Sequence, residues 1–176
     1  GKEVFFSTEL NGERIFMFAP LDGGPLRQVP LSENHMQGAW ARISTDGRHV
    51  LYLSKGKTEG EIGVWIHDLA QDTSRKVDEG VVPPGVNNGR WAIGGRSEAL
   101  SGGATQFLYG LTRNGAHELM AARADGSTQL LWRFPQIGDE EPPTVAVHSG
   151  RIAFTKNDGQ TGSLFLARVG EDREQL

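Results

Sequence analysis

Apolar residues occur along this chain in short runs, separated by turns rich in glycine, aspartate and asparagine. Within the runs, consecutive positions are apolar, as in residues 4–6, 15–18, 50–53 and 164–166. A sheet with one wet face would alternate apolar and polar residues, so these strands are expected to be covered on both faces. No stretch keeps a helical apolar period, and we therefore predict an all-β chain without a long helix.

The best-defined group of elements spans residues 43–77. An Asp46-Gly47 turn leads into an apolar strand, a glycine-rich loop follows, and two further strands are separated by a polar turn. Asp-Gly between apolar runs is a strong hairpin signal, because glycine readily adopts the positive φ that the turn requires. The rest of the chain repeats this plan.

The repeat has a measurable period. Matching second strands are separated by 46, 57 and 45 residues, and matching third strands by 48, 55 and 45. A period of about 45 residues with four strands per repeat is typical of β-propeller blades. The aligned residues are Phe5, Leu51, Leu108 and Ala153 in the second strands and Phe16, Val64, Leu119 and Leu164 in the third strands.

We predict an all-β fold, a β-propeller segment of about four four-stranded antiparallel blades. It would form a single domain over residues 1–176 and be part of a larger propeller. The first unit lacks an innermost strand, so open ends would expose strand edges and an apolar blade face. Closure by self-association is the alternative to a larger propeller. The blade units are approximately residues 2–31, 39–77, 91–134 and 144–176.

The second unit resembles the repeat of TolB-type, WD-like propellers, which is also found in the propellers of prolyl-oligopeptidase-like peptidases. That repeat runs roughly W-S-P-D-G, then I-A-F-x-S, then I-W-V-x-D-L. Here residues 43–47, 50–54 and 62–69 read ISTDG, VLYLS and IGVWIHDL, with Ile43 in place of the usual Trp and Thr45 in place of the usual Pro. The resemblance implies a bacterial, periplasmic or extracytoplasmic setting.

Composition and motifs narrow the function classes. The net charge is −4 and no basic stripe marks a nucleic-acid groove. The chain has no cysteine, and no apolar run approaches the roughly 20 residues of a membrane span. Gly-x-Ser-x-Gly and phosphate-binding glycine motifs are missing, and the five histidines lack metal-ligand spacing. We therefore expect no catalytic residue, cofactor or metal in this chain.

Recognition in propellers is expected on loops that a rigid scaffold holds at one rim. Two tryptophans beside loops that enter innermost strands are candidate anchors, although packing between blades explains them as well. An acidic cluster in a third entering loop could contact a basic partner or a hard cation, or be a solvated loop. The candidate binding residues are Glu33, His35, Gln37, Trp40, Asn87, Asn88, Arg90, Trp91, Asp139, Glu140 and Glu141.

These observations favour a non-catalytic β-propeller scaffold that recognises a protein or peptide through its loop face, and that could form a homodimer through its open ends. One alternative is the substrate-gating propeller of a prolyl-oligopeptidase-like serine peptidase, whose α/β-hydrolase domain would lie outside this chain. A second alternative is a metal-dependent propeller lyase acting on acidic sugars, with His35 and Gln37 as candidate site residues. Both alternatives rest on the family resemblance alone. No catalytic motif in the sequence supports either of them.

Overall fold

The computed structural model describes residues 2–11, 13–31, 41–44, 46–55, 61–81, 106–135, 145–148, 151–157 and 162–168. Thirteen β-strands and no helix occur in these ranges, as the apolar runs predict. The strands are β1 (Glu3–Leu10), β2 (Glu13–Pro20), β3 (Arg27–Gln28), β4 (Arg42–Ile43), β5 (His49–Lys55), β6 (Glu61–Asp68), β7 (Thr73–Val81), β8 (Gln106–Arg113), β9 (Ala116–Arg123), β10 (Thr128–Pro135), β11 (Val145–His148), β12 (Arg151–Asn157) and β13 (Gly162–Arg168).

The strands form three antiparallel sheets. The first contains β1, β2 and β3, and the third contains β11, β12 and β13, each in sequence order. The central sheet has seven strands in the order β10-β9-β8-β7-β6-β5-β4. It joins two predicted blades through one pair of residues, Val81 on β7 and Thr112 on β8. We number four units along the chain: unit 1 is β1–β3, unit 2 is β4–β7, unit 3 is β8–β10 and unit 4 is β11–β13.

The central hairpin has the same register in all four units. The aligned third-strand residue always pairs with the residue two positions after the aligned second-strand residue. Because side chains alternate along a strand, equivalent residues therefore lie on equivalent faces of each unit. The equivalent pairs are Ser7–Phe16, Leu53–Val64, Gly110–Leu119 and Thr155–Leu164.

The core lies between the faces of consecutive units. We call the face with Tyr52 in unit 2 and Tyr109 in unit 3 the front face, and the face with the aligned third-strand residue the back face. Phe16 on the back face of unit 1 shares one buried cluster with Tyr52. Val64 on the back face of unit 2 shares another with Tyr109 and Met120. The back face of one unit thus packs against the front face of the next.

A β-bulge recurs at the same point in units 2 and 3, where the third strand pairs with the fourth. Val77 on β7 and Leu131 on β10 are the extra residues. Both are apolar: Val77 packs against the core between units 2 and 3, and Leu131 is buried. An extra residue bends the strand and changes the face on which the following side chains lie.

The residue that follows each bulge contacts the next unit. Asp78 accepts a hydrogen bond from the hydroxyl of Tyr109 at 2.7 Å. The ring of Trp132 lies 5.7 Å from the ring of Phe154. Tyr109 and Phe154 occupy equivalent positions of the repeat. The same contact between consecutive units therefore occurs twice, as a hydrogen bond between units 2 and 3 and as an aromatic contact between units 3 and 4.

The tight turns have the backbone that the sequence predicts. Gly47 has a φ of 71°. Asn114 and Gly115 have φ values of 50° and 70°, as expected for a two-residue hairpin loop with Asn-Gly. Ser44 closes the Asp46-Gly47 turn, because its Oγ accepts the backbone N–H of His49 at 2.9 Å and donates to Asp46 at 2.5 Å. Ser44 and Asp46, in the stretch that most resembles the family repeat, therefore serve to form the turn.

Two strand lengths differ from the expectation. β3 contains only Arg27–Gln28, and Pro25 and Pro30, which have no N–H to donate, lie close to either end of it. β7 continues to Val81, whereas the predicted second unit ends at residue 77, because the bulge lets the polar residues after it keep pairing with β6. The predicted innermost strand of the third unit, beginning at Trp91, lies outside the described residues.

Candidate functional site

One end of the stacked units gathers strand ends that border the predicted recognition loops. β7 ends there at Val81, β10 ends at Pro135, and the Asn114-Gly115 turn joins β8 to β9. In an antiparallel sheet the end of one strand lies beside the start of the next, so these three features lie at the same end of the strands. We call this end the loop rim. The opposite end, which carries the Asp46-Gly47 turn, is the turn rim.

The eleven binding residues predicted from the sequence all lie outside the described residues. They belong to three segments, 32–40, 82–105 and 136–144. The structure therefore neither brings them together nor separates them, and they remain predictions. They are Glu33, His35, Gln37 and Trp40 in the first segment, Asn87, Asn88, Arg90 and Trp91 in the second, and Asp139, Glu140 and Glu141 in the third.

Five side chains of units 2 and 3 form a continuous polar network at the loop rim. Tyr109 donates to Oδ2 of Asp78 at 2.7 Å, and Nη1 of Arg113 donates to Oδ1 of Asp78 at 2.7 Å. Nε of Arg113 donates to Oε2 of Glu118 at 2.8 Å. Nη2 of Arg133 donates to Oε1 of Glu118 at 2.6 Å. We call Tyr109, Asp78, Arg113, Glu118 and Arg133 the rim network.

The bulge on β7 makes this network possible. If β7 continued past Lys76 without a bulge, Val77 would pair with Val64, and the side chain of Asp78 would fall on the other face of the sheet, away from Tyr109 and Arg113. The neighbouring Gly80 allows β7 to approach β8, since a Cβ there would lie 3.0 Å from the Leu111 side chain. Local backbone geometry therefore brings two distant parts of the sequence into one polar cluster.

Burial increases along the network from the outer arginine to the carboxylates. The side chain of Arg133 is 60% exposed, whereas that of Glu118 is 7% exposed and Asp78 is also largely buried. The two carboxylates are balanced by two guanidinium groups. Buried carboxylates are costly unless their partners stay in place, so the network fixes Arg113 and holds Arg133 at the surface.

Two groups of the rim network have pKa values raised above their ordinary values. Burial, reinforced by Asp78, raises the pKa of Tyr109 well above its ordinary value. Burial alone would lower the pKa of Arg113, but the hydrogen bond to Glu118 and the charge of Asp78 raise it overall. Neither group changes its charge near neutral pH, since both ordinary values already lie far above 7. Tyr109 therefore stays neutral and Arg113 stays positively charged.

Arg133 and Glu79 are two exposed charged side chains of the loop rim. Nε and Nη2 of Arg133 bind Glu118, while Nη1 has no hydrogen-bond partner in the described part of the chain. The carboxylate of Glu79 is exposed and forms an ion pair with Lys76. A guanidinium binds carboxylate or carbonyl oxygens, and a carboxylate accepts N–H groups. The rim thus offers a fixed donor and an acceptor.

A second polar cluster, at the turn rim, has a structural role. Nδ1 of His67 lies 2.9 Å from Oγ of Ser74, its cross-strand neighbour, and Nε2 lies 3.6 Å from Asp72. These are the residue types of a serine hydrolase, yet the His67 side chain is 2% exposed and its pKa is lowered by burial. Thr112 and His117 make the same hydroxyl–imidazole contact at 2.8 Å near the loop rim. We interpret both as cross-strand bonds of the scaffold.

The described ranges give no support for a metal site. Within them, no group of three or more His, Cys, Asp or Glu side chains is placed to hold a metal ion. The pair considered for a lyase, His35 and Gln37, lies outside these ranges. Over the same ranges, no helix has the length and apolar character needed to cross a membrane.

Sequence reasoning missed the rim network, and only part of it left a signal. Arg113 and Glu118 flank the Asn114-Gly115 turn, so a charge pair across this hairpin could have been expected. Asp78 lies 35 residues before Arg113, and no local spacing connects them. The bulge that re-aims Asp78 has no sequence signature that could have been recognised in advance.

The fold and its repeats define the class of protein. Antiparallel units with a shared register, stacked back face to front face in chain order, form a β-propeller, and this chain is a segment of one. The likeness to solved propellers includes TolB, in agreement with the TolB-type resemblance of residues 43–69. No protein-family model matches the sequence, and no curated protein matches it.

Three solved structures show the likeness. The chain is 16% identical to the β-propeller domain of the Trilobed protease from Pyrococcus furiosus, covering 99% of this chain and 53% of that one with a TM-score of 0.62. It is 13% identical to TolB from Acinetobacter baumannii, covering 98% of this chain and 40% of TolB with a TM-score of 0.60. It is 14% identical to the acylaminoacyl peptidase from Pyrococcus horikoshii, covering 93% of this chain and 27% of the peptidase with a TM-score of 0.55. The chain therefore spans about half or less of each.

Proposed function

We propose that this chain is a non-catalytic recognition module, which binds a protein or peptide segment at the loop rim. The observation that carries the proposal is the rim network, in which the buried carboxylate of Glu118 holds the exposed Arg133 at the end of a stacked sheet. Preorganised groups lose little freedom on binding, which favours recognition. The setting that the resemblance suggests, a bacterial periplasm or another extracytoplasmic compartment, belongs to this proposal.

The partner we propose offers oxygen acceptors to Arg133 and N–H donors to Glu79. An extended peptide backbone supplies both, and an acidic side chain would strengthen the contact with the guanidinium. The predicted binding residues in segments 32–40, 82–105 and 136–144 would add side-chain specificity. Residues 82–105 and 136–144 continue directly from the strands that end at this rim.

A selection experiment tests the proposal. A displayed library of random peptides is enriched on the immobilised chain, and the affinity of the enriched peptides is then measured for two variants. Arg133→Ala should weaken binding about ten- to a hundredfold, since a charged hydrogen bond contributes about 1.5–3 kcal/mol. Arg48→Ala, an exposed arginine at the turn rim, is the matched control and should change nothing. Absence of enriched peptides, or equal loss in both variants, would refute recognition at the loop rim.

A second candidate is the gating propeller of a serine peptidase. It is supported by the fold likeness to the Trilobed protease propeller and to an acylaminoacyl peptidase, at identities of 16% and 14%. This function requires a catalytic domain beyond these 176 residues. A Gly-x-Ser-x-Gly elbow followed by Asp and His in the flanking coding sequence would favour it over a separate recognition module.

A further inference from the structure

The imidazole of His49 lies between two carboxylates at the turn rim of unit 2. Its Nδ1 lies 4.0 Å from Oδ1 of Asp46, in the turn between β4 and β5. Its Nε2 lies 3.7 Å from Oδ2 of Asp68, the cross-strand neighbour at the end of β6. We call the turn between β4 and β5 the inner turn and the turn between β6 and β7 the outer turn. The ring therefore presents one nitrogen to each turn.

Both carboxylates are held in place by the turns that they form. Oδ1 of Asp46 accepts the backbone N–H of Arg48 at 3.0 Å. Oδ1 of Asp68 accepts the backbone N–H groups of Ala70 at 2.8 Å and Gln71 at 3.0 Å. Neither carboxylate can rotate freely without losing these bonds. The imidazole therefore lies between two anchored acceptors.

The two aspartates are fixed negative charges. Burial would raise the pKa of Asp46, but hydrogen bonds within the inner turn and the charge of a protonated His49 lower it overall. The pKa of Asp68 is lowered chiefly by a backbone hydrogen bond in the outer turn, and also by the charge of His49. Arg48 acts on Asp46 and His67 acts on Asp68 in the same direction. Both carboxylates are therefore ionised at neutral and mildly acidic pH.

The protonation state of His49 decides how many of these contacts it can make. A neutral imidazole has one N–H and can donate to one carboxylate, whereas an imidazolium has two and can donate to both. The side chain is only 15% exposed, and its buried Nδ1 has no hydrogen-bond partner in the part of the chain that the structure describes. A buried polar atom without a partner is costly. An imidazolium has an N–H at Nδ1, which can donate to Asp46.

We propose that His49 is a pH-dependent clasp, which ties the inner turn of unit 2 to the outer turn when the imidazole is protonated. The ring then carries a positive charge between two negative charges and donates one hydrogen bond to each carboxylate. The neutral ring keeps at most one of the two connections. The stabilisation of the turn rim is therefore present at low pH and is lost as the pH rises. This clasp lies at the end of unit 2 opposite to the loop rim and does not depend on the proposed recognition function.

Amide hydrogen exchange of the whole chain, measured by NMR at pH 5 and pH 8 and corrected for intrinsic rates, tests the clasp. The reporters are the amides of Arg48, Ala70 and Gln71, because Asp46 and Asp68 accept their hydrogen bonds. Their protection should be about two- to fivefold greater at pH 5, as expected for a partly exposed ion pair. The ¹⁵N shifts of the His49 ring should show both nitrogens protonated at pH 5.

Three variants separate the clasp from other effects of pH. His49→Gln should abolish the gain in protection, since an amide side chain does not become charged. Asp68→Asn should reduce the gain, because it keeps an oxygen for the outer turn but removes the charge that faces Nε2. His67→Gln is the matched control, a neighbouring histidine on the same hairpin, and should keep the gain. Circular dichroism confirms that each variant is folded.

Two results on the wild-type chain alone would overturn the clasp. One is a His49 ring that is still neutral at pH 5. The other is a protonated ring with no greater protection of the three reporter amides. An equal gain in the wild type and in His49→Gln would also contradict it, since the pH dependence would then come from another group. The first two results require no variant, so the test does not depend on the folding of His49→Gln.

Discussion

Removing the carboxylate of Asp78 tests whether the rim network joins units 2 and 3. Asp78→Ala takes the hydrogen-bond acceptor away from the hydroxyl of Tyr109 and from Nη1 of Arg113. The contact between Arg113 and Glu118 remains, so the guanidinium keeps one charged partner. The substitution therefore breaks one connection of the network and leaves the other intact.

The expected loss of stability follows from what is left unpaired. A buried hydroxyl without a partner costs about 1–3 kcal/mol. Breaking a buried ion pair from one side costs about 3–5 kcal/mol. Here the cost is below that range, because Arg113 is partly exposed and keeps its ion pair with Glu118. We expect a total of about 3 kcal/mol, which lowers the melting temperature by about 6–12 °C in a chain of this length.

Urea unfolding followed by circular dichroism measures the effect. Glu79→Ala is the matched control, because this neighbouring carboxylate is exposed and its ion pair with Lys76 should contribute less than about 0.5 kcal/mol. Tyr109→Phe in the background of Asp78→Ala should recover part of the loss, since it removes the hydroxyl that Asp78→Ala leaves without its acceptor. If Asp78→Ala unfolds within about 0.5 kcal/mol of Glu79→Ala, the network does not hold the units together.

Three further substitutions test other features. Gly80→Ala should lower the free energy of unfolding by about 1–3 kcal/mol, because the new Cβ would lie 3.0 Å from Leu111, and an unchanged urea midpoint would contradict the close approach of β7 and β8. Phe154→Ala should cost about 3–5 kcal/mol in thermal unfolding, and a loss of less than about 1 kcal/mol would mean that its ring does not join units 3 and 4. Burial lowers the pKa of His67, so its contribution to stability is complete above its ordinary pKa of about 6.5 and is lost as the pH falls. His67→Gln should therefore lose less stability than the wild type between about pH 7.5 and pH 5, and equal losses would contradict a buried neutral ring.

Much of the scaffold was predictable from the sequence, because its signals are local and repeated. The apolar runs predict strands covered on both faces, and Asp46-Gly47 predicts its turn. The alignment of Phe16, Val64, Leu119 and Leu164 from spacing alone reproduces the observed register of four hairpins. Repetition gives each of these inferences several independent checks.

The rim network could not be predicted, because it depends on one extra residue in a strand. Val77 reads as the end of a strand in the sequence, and Asp78 to Gly80 read as the start of a polar loop. The bulge at Val77 keeps β7 paired as far as Val81 and turns Asp78 toward unit 3. A charge pair between residues 35 positions apart then forms only in three dimensions.

The stacking of units, back face to front face, brings Asp78 of unit 2 against Tyr109 of unit 3 and so underlies the rim network. Nuclear Overhauser contacts in a methyl-labelled sample measure it most directly. We expect cross-peaks from the Val64 methyl groups of unit 2 to Tyr109 or Met120 of unit 3, and from the Trp132 ring to the Phe154 ring of unit 4. Cross-peaks confined to strands of the same unit would contradict the stacked arrangement.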